Sequence, residues 1–509
     1  MRGRGEDQRL DRVGSALAVI AVVALLAAQF SLFLSQPLGF DDAFNVQIPV
    51  SLVRSGRYET TYHQPTLFDY RISTGPTVLV PVAAVLALLE PTYWSVRLPM
   101  ALYLLAYILG LERLSRRLAA RPERAWMPFL MMLAGFVLVP SGLATSAQVL
   151  GSLPAAAFFL WGIEVMSRAL ERGRTATAVA AGVLLGLAVV TKLIALLWVG
   201  GLLFALWFAP ELAGSLRRRR AFLLACAAGV GAPLLLWQSV ILIGLGYEGQ
   251  RQWLRDFWRM MWVAGSGVSL GALRLSALGP AAHLETVSSM FAVGKVPLLL
   301  GFAIAALFTA RVFLARQRPF AAHALLLATA AHLLWWFGLS TWLWYWHLLP
   351  GYFLYATLIG YVLYVSVTEA GRRMGWVIGA LIGLAVWWTL PLRPPSLSLQ
   401  PNLVLDGQLQ AAQVLRRIRS EDPAARFWGL GWFQCPELSF LVRESFKDLT
   451  REAPAPGAAN YFSMGKATNF FVTGVGEYAK ANCAEDVFDG ANYRICRLRP
   501  EAPQAPVPQ

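Results

Sequence analysis

Charge is what this chain has least of. Only 14% of its 509 residues are Asp, Glu, Lys or Arg, where a soluble domain carries roughly a quarter. With 57% hydrophobic residues and a mean hydropathy of +0.53, there is too little polar surface to cover a soluble globule, which excludes a soluble enzyme behind a signal peptide. Cysteine is scarce too: Cys226, Cys435, Cys483 and Cys496 are all there are, and none has the Cys-x-x-Cys spacing of a metal site. Internal repeats are absent, unlike the paired halves of many secondary transporters.

What is present is a recurrence of apolar runs from Val13 to Pro391. A membrane crossing takes about 20 such residues, and the runs give about eleven spans, at 13–35, 93–112, 125–141, 147–168, 175–191, 193–209, 221–245, 294–312, 320–339, 345–366 and 374–391. Val13 to Ser35 is long and lacks a small-residue cleavage site, so it reads as an uncleaved anchor. The net charge of +15 would suggest nucleic acid in a soluble chain, but its distribution is topological. Almost half of the 44 Lys and Arg cluster in short loops, at Arg2 to Arg12, Arg113 to Arg124, Arg168 to Arg174, Arg217 to Arg220, Arg311 to Arg318 and Arg372/Arg373. The positive-inside rule places all of these in the cytoplasm. Counting 76–90 as a crossing would invert every later cluster, so this 15-residue run between Pro76 and Pro91 reads as a re-entrant or interfacial segment. Facing outward are then a loop at 36–92, a short one at 141–147, one at 246–293, and the tail.

The tail from Leu392 balances its charges, as a small soluble domain does. Helical spacing over Asp406–Ser420, strands over 426–431, 461–464 and 493–498, and a short helix over 436–442 predict a small α/β domain. In an outward, oxidising compartment one disulfide among Cys435, Cys483 and Cys496 is expected, with Cys483–Cys496 favoured. The expected organisation is a membrane domain at 1–391, an exocytoplasmic domain at 392–499 and a disordered end at 500–509.

Chemistry concentrates in the first outward loop, which opens Gly39-Phe40-Asp41-Asp42-Ala43-Phe44-Asn45. Two adjacent carboxylates at a membrane surface need partners or a task. One task is that of general base, taking the proton of an attacking hydroxyl; capping of a helix expected over 43–55 is the equally weighted alternative. In the same loop His63 and Arg71 are candidate substrate contacts, although loop histidines are often incidental. Lys192, at the outer end of its span, fits a lipid phosphate or a snorkelling lysine. Arg251, Arg255 and Arg259, interleaved with Trp253, Phe257 and Trp258, make a basic amphipathic helix that suits lipid phosphate or simple anchoring.

FDDAFNVQIPVSLVRSGRY followed by YRISTGPTVLVP resembles the first exterior loop of GT-C-type, polyprenyl-phosphate-sugar-dependent glycosyltransferases, the protein mannosyltransferase and aminoarabinose transferase group. GLAVVTKLIALL at 186–197, QVLGSLPAAAFFLWG at 148–162, WLWYWHLLPGYFLY at 342–355 and the tail segment GLGWFQCPELSFL are similar in turn. The resemblance implies a multi-pass α-helical membrane protein of about eleven transmembrane helices in a GT-C-like arrangement, with a small C-terminal exocytoplasmic α/β domain. It implies Asp41 as catalytic base supported by Asp42, and Lys192 against the donor phosphate, with His347 or Tyr345 as further donor contacts unless they are aromatic-belt residues. Gln148 and Ser152 would meet sugar hydroxyls. Relatives often carry an acidic residue where this chain has Ser152, which removes a second carboxylate and weakens the case for a divalent metal, though one stays open.

The activity so implied is an inverting transfer of a sugar from a polyprenyl-phosphate donor to an acceptor hydroxyl, on protein, lipid A, polysaccharide or lipid. The expected location is the periplasmic face of a bacterial inner membrane, among membrane lipids and with no nucleic-acid partner. A flippase or transporter of an anionic glycolipid is the alternative; it predicts polar residues spread along several spans, whereas here they gather at the outer ends. A scaffold displaying the tail is a third reading, which leaves the acidic pair only a capping role.

Overall fold

The computed structural model describes residues 4–61, 65–119, 121–138, 142–261, 283–285, 287–288, 295–315, 318–338, 340, 348–369, 403–430, 435–449, 451–454, 458–465 and 472–504. The expected span 374–391 lies outside them, as does the C-terminal end from 505.

The membrane part runs α1 (Arg4–Ser35), α2 (Phe40–Ser55), a small antiparallel pair β1 (Glu59–Thr60) and β2 (Thr66–Leu67), α3 (Pro76–Leu86), α4 (Leu98–Leu118), α5 (Trp126–Leu138), α6 (Gly142–Ala147), α7 (Ser152–Arg172), α8 (Thr175–Thr191), α9 (Ala195–Trp207), α10 (Leu216–Met261), α11 (Lys295–Ala315), α12 (Phe320–Gly338) and α13 (Leu349–Glu369). Among the described residues, six helices are long and apolar enough to cross a membrane, within α1, α4, α7, α10, α12 and α13, and α5, α8 and α9 are shorter apolar helices. The 11-residue α3 rises about 16 Å, half of a hydrocarbon core of about 30 Å. It packs Val78, Leu79, Val82 and Leu86 inward.

α7 is the central post: 78% of its apolar window is buried, against 22% for α1, whose Val13, Leu17, Val19, Ile20 and Val23 face outward. Without a hydrophobic drive between helices in lipid, close packing must come from small residues. Gly182 of α8 and Gly229 of α10 meet backbone to backbone. A Cβ on Gly182 would stand 2.2 Å from the Cys226 carbonyl oxygen, and one on Gly229 2.2 Å from that of Val179. A Cβ on Gly360 of α13 would stand 2.5 Å from Met132 Cα of α5, and one on Gly201 of α9 2.5 Å from the Leu327 carbonyl oxygen of α12.

The two ends of the bundle differ in charge. At one, Arg117 of α4 pairs with Glu164 and Glu171 of α7, Glu164 also takes Arg168 at 2.8 Å, and Arg318 forks onto Glu369 at 2.8 and 2.9 Å. α4 reaches this end by continuing to Leu118, six residues past the expected boundary, so Arg113, Arg116 and Arg117 are helical. The opposite end carries α2, α3, the loop before α7 and the C-terminal domain.

That domain comprises α14 (Leu403–Glu421), β3 (Arg426–Gly429), α15 (Pro436–Val442), β4 (Lys447–Asp448), β5 (Asn460–Gly465), α16 (Val472–Asn482), β6 (Cys483–Asp489) and β7 (Tyr493–Leu498). Its mixed sheet has the order β4-β3-β5-β7-β6, with β3 parallel to β4 and β5, and β7 antiparallel to β5 and β6. Cys483 and Cys496 form the disulfide, and Cys435 is buried and free. α15 packs against α2, so Ala411, Leu415, Phe427 and Leu438 continue the bundle's own core.

The Gly182–Gly229 crossing generates a direct test. Gly182→Ala should lower the thermal midpoint in lipid nanodiscs by an amount equivalent to about 1–3 kcal/mol, the usual cost of overpacking. Gly231→Ala, with nothing within 4 Å of the new Cβ, should leave it unchanged; equal effects would mean the close crossing does not hold the bundle.

Candidate active site

α2 begins one residue after Gly39, which has extended backbone and no side-chain cap, and its first helical bond runs from the Ala43 N–H to the Gly39 carbonyl at 2.9 Å. Asp41 and Asp42 therefore sit in the first turn, where carboxylates suit the helix dipole, and neither caps it. Successive helical residues point about 100° apart, and the pair divides accordingly. Asp42 turns inward, 1% exposed, while Asp41 stays open to solvent.

Asp42 is fully engaged. One oxygen accepts from the Arg97 guanidinium at 2.8 Å, with neither side chain exposed, and the other accepts the Val149 N–H. Arg97, at the end of the single 3₁₀ turn Ser95–Arg97, also donates to the carbonyls of Gln36 at 2.8 Å and Pro37 at 2.7 Å. One arginine thus ties the linker after α1, the start of α2 and the entrance of α4 together.

One turn further along α2, the Asn45 amide donates to Thr74 Oγ1 at 3.0 Å and to the Val149 carbonyl at 2.7 Å, and Thr74 Oγ1 also accepts the Gly151 N–H at 3.2 Å. These bonds join the first loop to the turn before α7. That turn replaces the expected helical start at 147, so α7 opens at Ser152.

Lys192 follows directly. The Thr191 carbonyl, which in a continuous helix would accept from Ala195, instead accepts the Gly75 N–H at 2.9 Å, and Ala195 donates to Lys192 at 2.9 Å. The chain breaks there without glycine or proline: Lys192 is extended (φ −154, ψ 116) and separates α8 from α9. Two glycines permit the approach. A Cβ on Gly75 would stand 1.7 Å from the Val190 carbonyl oxygen, and one on Gly151 2.6 Å from that of Thr191 and 3.3 Å from Lys192 Cβ. The hydroxyls of Thr77 and Thr191 add a bond of 2.6 Å.

Asp41 and Lys192 interact electrostatically at this junction. Burial by the surrounding protein raises the Asp41 carboxyl above the usual carboxylate range; Lys192 pulls it down and Asp42 pushes it up by a smaller amount. Asp41 is thus an exposed carboxylate whose basicity the surrounding protein raises. It is the form a general base needs, able to meet a substrate and more basic than a free carboxylate.

Of the other expected residues, Gln148 is half-buried with its amide against Gly39, two residues from Asp41. Ser152 is buried at the first position of α7. Arg71 forks onto Asp69 at 2.7 and 2.6 Å, and Asp69 also accepts from Thr60 at 2.8 Å, so this pair braces the β1–β2 loop. His63, Tyr345 and His347 lie outside the described residues. The basic helix 251–259 belongs to α10, which turns back at Gly246 (φ 70) so that the Gln250 amide meets the Gln238 carbonyl at 2.9 Å. Trp253 donates to the Phe68 carbonyl, and Phe68 stacks on Tyr58 at 5.5 Å, which anchors this helix on the first loop. Arg251, Arg255 and Arg259 are exposed.

The residues that sequence reasoning missed are Arg97, Asn45 and Thr74. An acidic pair in an outward loop demands a buried counter-charge, and Arg97, flanked by apolar runs, is a signal that could have been followed. The donor set does not fit a divalent metal: both Asp42 oxygens are taken, Lys192 sets a positive charge beside Asp41, and among the described residues no three His, Cys, Asp or Glu converge.

No protein-family model and no curated protein matches the chain. Solved structures match its fold. ArnT from Cupriavidus metallidurans bound to undecaprenyl phosphate superposes with a TM-score of 0.61 at 14% identity, over 96% of this chain and 99% of that one. The apo state of the same protein gives 0.59 at 15% identity, with 96% and 99% covered. The apo oligosaccharyltransferase of Archaeoglobus fulgidus gives 0.49 at 13% identity, over 91% of this chain and 71% of that one. The ArnT likeness spans both the membrane bundle and the C-terminal domain, and the fold is the GT-C arrangement.

Breaking a buried ion pair from one side leaves an uncompensated charge and costs about 3–5 kcal/mol. Asp42→Asn and Arg97→Met should each lower the thermal midpoint strongly, and the double variant should cost clearly less than the two singles added. Strict additivity in that cycle would show that the pair is not coupled.

Proposed function

We propose that this protein is an inverting glycosyltransferase that moves a sugar from a polyprenyl-phosphate donor to an acceptor hydroxyl at the outer face of the cytoplasmic membrane. The observation that carries the reading is the division of the acidic pair: Asp42 is locked to Arg97 while Asp41 stays exposed and interacts electrostatically with Lys192. The GT-C fold and the undecaprenyl phosphate bound by the ArnT structure are consistent with a lipid-phosphate donor here. Among the described residues, Arg117, Arg168, Arg218 and Arg318 gather at the end of the bundle opposite this site, and by the positive-inside rule this supports a site facing away from the cytoplasm.

In the reaction the acceptor hydroxyl attacks the anomeric carbon in line with the departing phosphate. The new C–O bond forms as the C–O bond to phosphate breaks, the hydroxyl proton passes to Asp41, and the electron pair leaves with the lipid phosphate. Lys192 offsets the charge growing on that phosphate, most effectively where water is excluded. A single displacement inverts the anomeric centre without a covalent enzyme intermediate. Asp42 acts through position: with Arg97 it fixes the first turn of α2, and so the direction of Asp41. Gln148, close to Gly39, is placed to meet a sugar hydroxyl.

The test is transfer from a panel of radiolabelled polyprenyl-phosphate sugars to endogenous acceptors, by membranes holding the intact protein or Asp41→Asn. Loss of a base costs about 10²–10⁴-fold, so the variant should lose transfer to that degree while still binding donor. Normal transfer by Asp41→Asn would sink the assignment. No transfer by either protein with any donor, accompanied by movement of a labelled glycolipid across the bilayer, would favour the flippase.

pH gives an independent check. A base acts only when ionised, and the Asp41 carboxyl is raised from its ordinary 3.8. The rate should therefore be full at neutral pH and fall, as pH is lowered, at a value above the ordinary carboxylate range. An acid limb at or below pH 4 would contradict the enclosed setting of Asp41.

A further inference from the structure

The four residues before Asp41's helical turn, Gln36 to Gly39, join a membrane helix to the site, and each of their carbonyls has a partner. Arg97 takes those of Gln36 and Pro37, and Ala43 takes that of Gly39. The fourth partner comes from the C-terminal domain. Gln408, on α14 and with no solvent exposure, donates from its amide nitrogen to the Leu38 carbonyl at 3.1 Å and accepts the Leu38 N–H on its amide oxygen at 3.1 Å. A side-chain amide that bonds both polar groups of one residue imitates a neighbouring strand, and fixes that peptide in position and direction.

Gln408 is itself held. Its second N–H donates to the Tyr493 hydroxyl of β7 at 3.0 Å, and that hydroxyl donates to Glu437 of α15 at 3.0 Å. α15 in turn packs against α2. The domain thus reaches the site linker by a hydrogen-bonded chain and braces the same helix from the side. A linker pinned from below by an arginine and from above by a glutamine has little freedom to rotate, and Asp41 lies only three residues past Leu38.

We propose that Gln408 is a positioning residue for Asp41, and that the C-terminal domain serves turnover by clamping the linker that aims the base. The proposal rests on the reading of Asp41 as general base. A peptide that drifts by about 1 Å misaims the base and slows chemistry severely, without touching the donor-phosphate contact at Lys192, which is held by α8, Gly75 and Gly151.

The experiment uses the full-length protein in nanodiscs, with Gln408→Leu and the isosteric Gln408→Glu as variants. The second keeps the side-chain shape, so a folding failure of the first does not end the test. Hydrogen exchange of peptides covering 36–44 is read beside transfer kinetics with whichever donor the intact protein uses. The expected result is faster exchange at 36–44 with α4, α7 and α8 unchanged, and a fall in kcat on the order of tenfold with the donor KM within about twofold. Faster exchange with kcat unchanged would overturn the positioning role, and unchanged exchange in both variants would overturn the clamp itself. Absence of transfer by the intact protein would instead remove the reading of Asp41 as base, and this proposal with it.

Discussion

A single buried ion pair organises this protein's candidate site. Asp42 and Arg97 face each other at 2.8 Å with no exposed side-chain surface. Removing two charges from water costs several kcal/mol each, so the pair must be well surrounded. It is: the Val149 N–H takes the second Asp42 oxygen, and the Gln36 and Pro37 carbonyls take further guanidinium hydrogens. Of the buried side-chain atoms of this pair, the Arg97 Nε alone lacks an acceptor. Replacing such a pair by apolar residues is often neutral, whereas removing one partner alone is costly. Locking Asp42 inward leaves Asp41 as the exposed member of the pair.

The remaining geometry follows from how closely the loops can approach. Gly75 and Gly151 let two loop backbones lie on the end of α8, and the bond from the Gly75 N–H to the Thr191 carbonyl diverts the acceptor that would have carried α8 into α9. The helix stops, and Lys192 is left extended, where its charge acts on Asp41. Opposite charges beside protein act on each other more strongly than they would in bulk water. The raised Asp41 carboxyl is therefore a balance: enclosure lifts it, and Lys192 holds it back.

Much of this was legible in the sequence. Apolar runs long enough to cross a bilayer marked the helices, because in lipid the backbone must satisfy itself within the helix. The acidic pair and Lys192 stood out because charge is so rare in this chain. What escaped was non-local. Arg97 is 55 residues from Asp42 and Gln408 is 370 from Leu38, and no local periodicity records such partnerships. β6 escaped for a different reason: Ala484, Glu485 and Asp486 of this edge strand are exposed, so it lacks the apolar alternation by which β3, β5 and β7 were recognised. The domain's hold on the linker was invisible because glutamine on an amphipathic helix reads as surface, whereas Gln408 is wholly buried.

The pairing of Asp41 with Lys192 is the centre of the account, and the pH dependence of single-turnover transfer by Lys192→Met tests it most directly. Since Lys192 lowers the Asp41 carboxyl, its removal should move the acid limb to higher pH, beside any loss in maximal rate. A limb that stays in place, or moves to lower pH, would show that the titrating base is not a carboxylate facing Lys192.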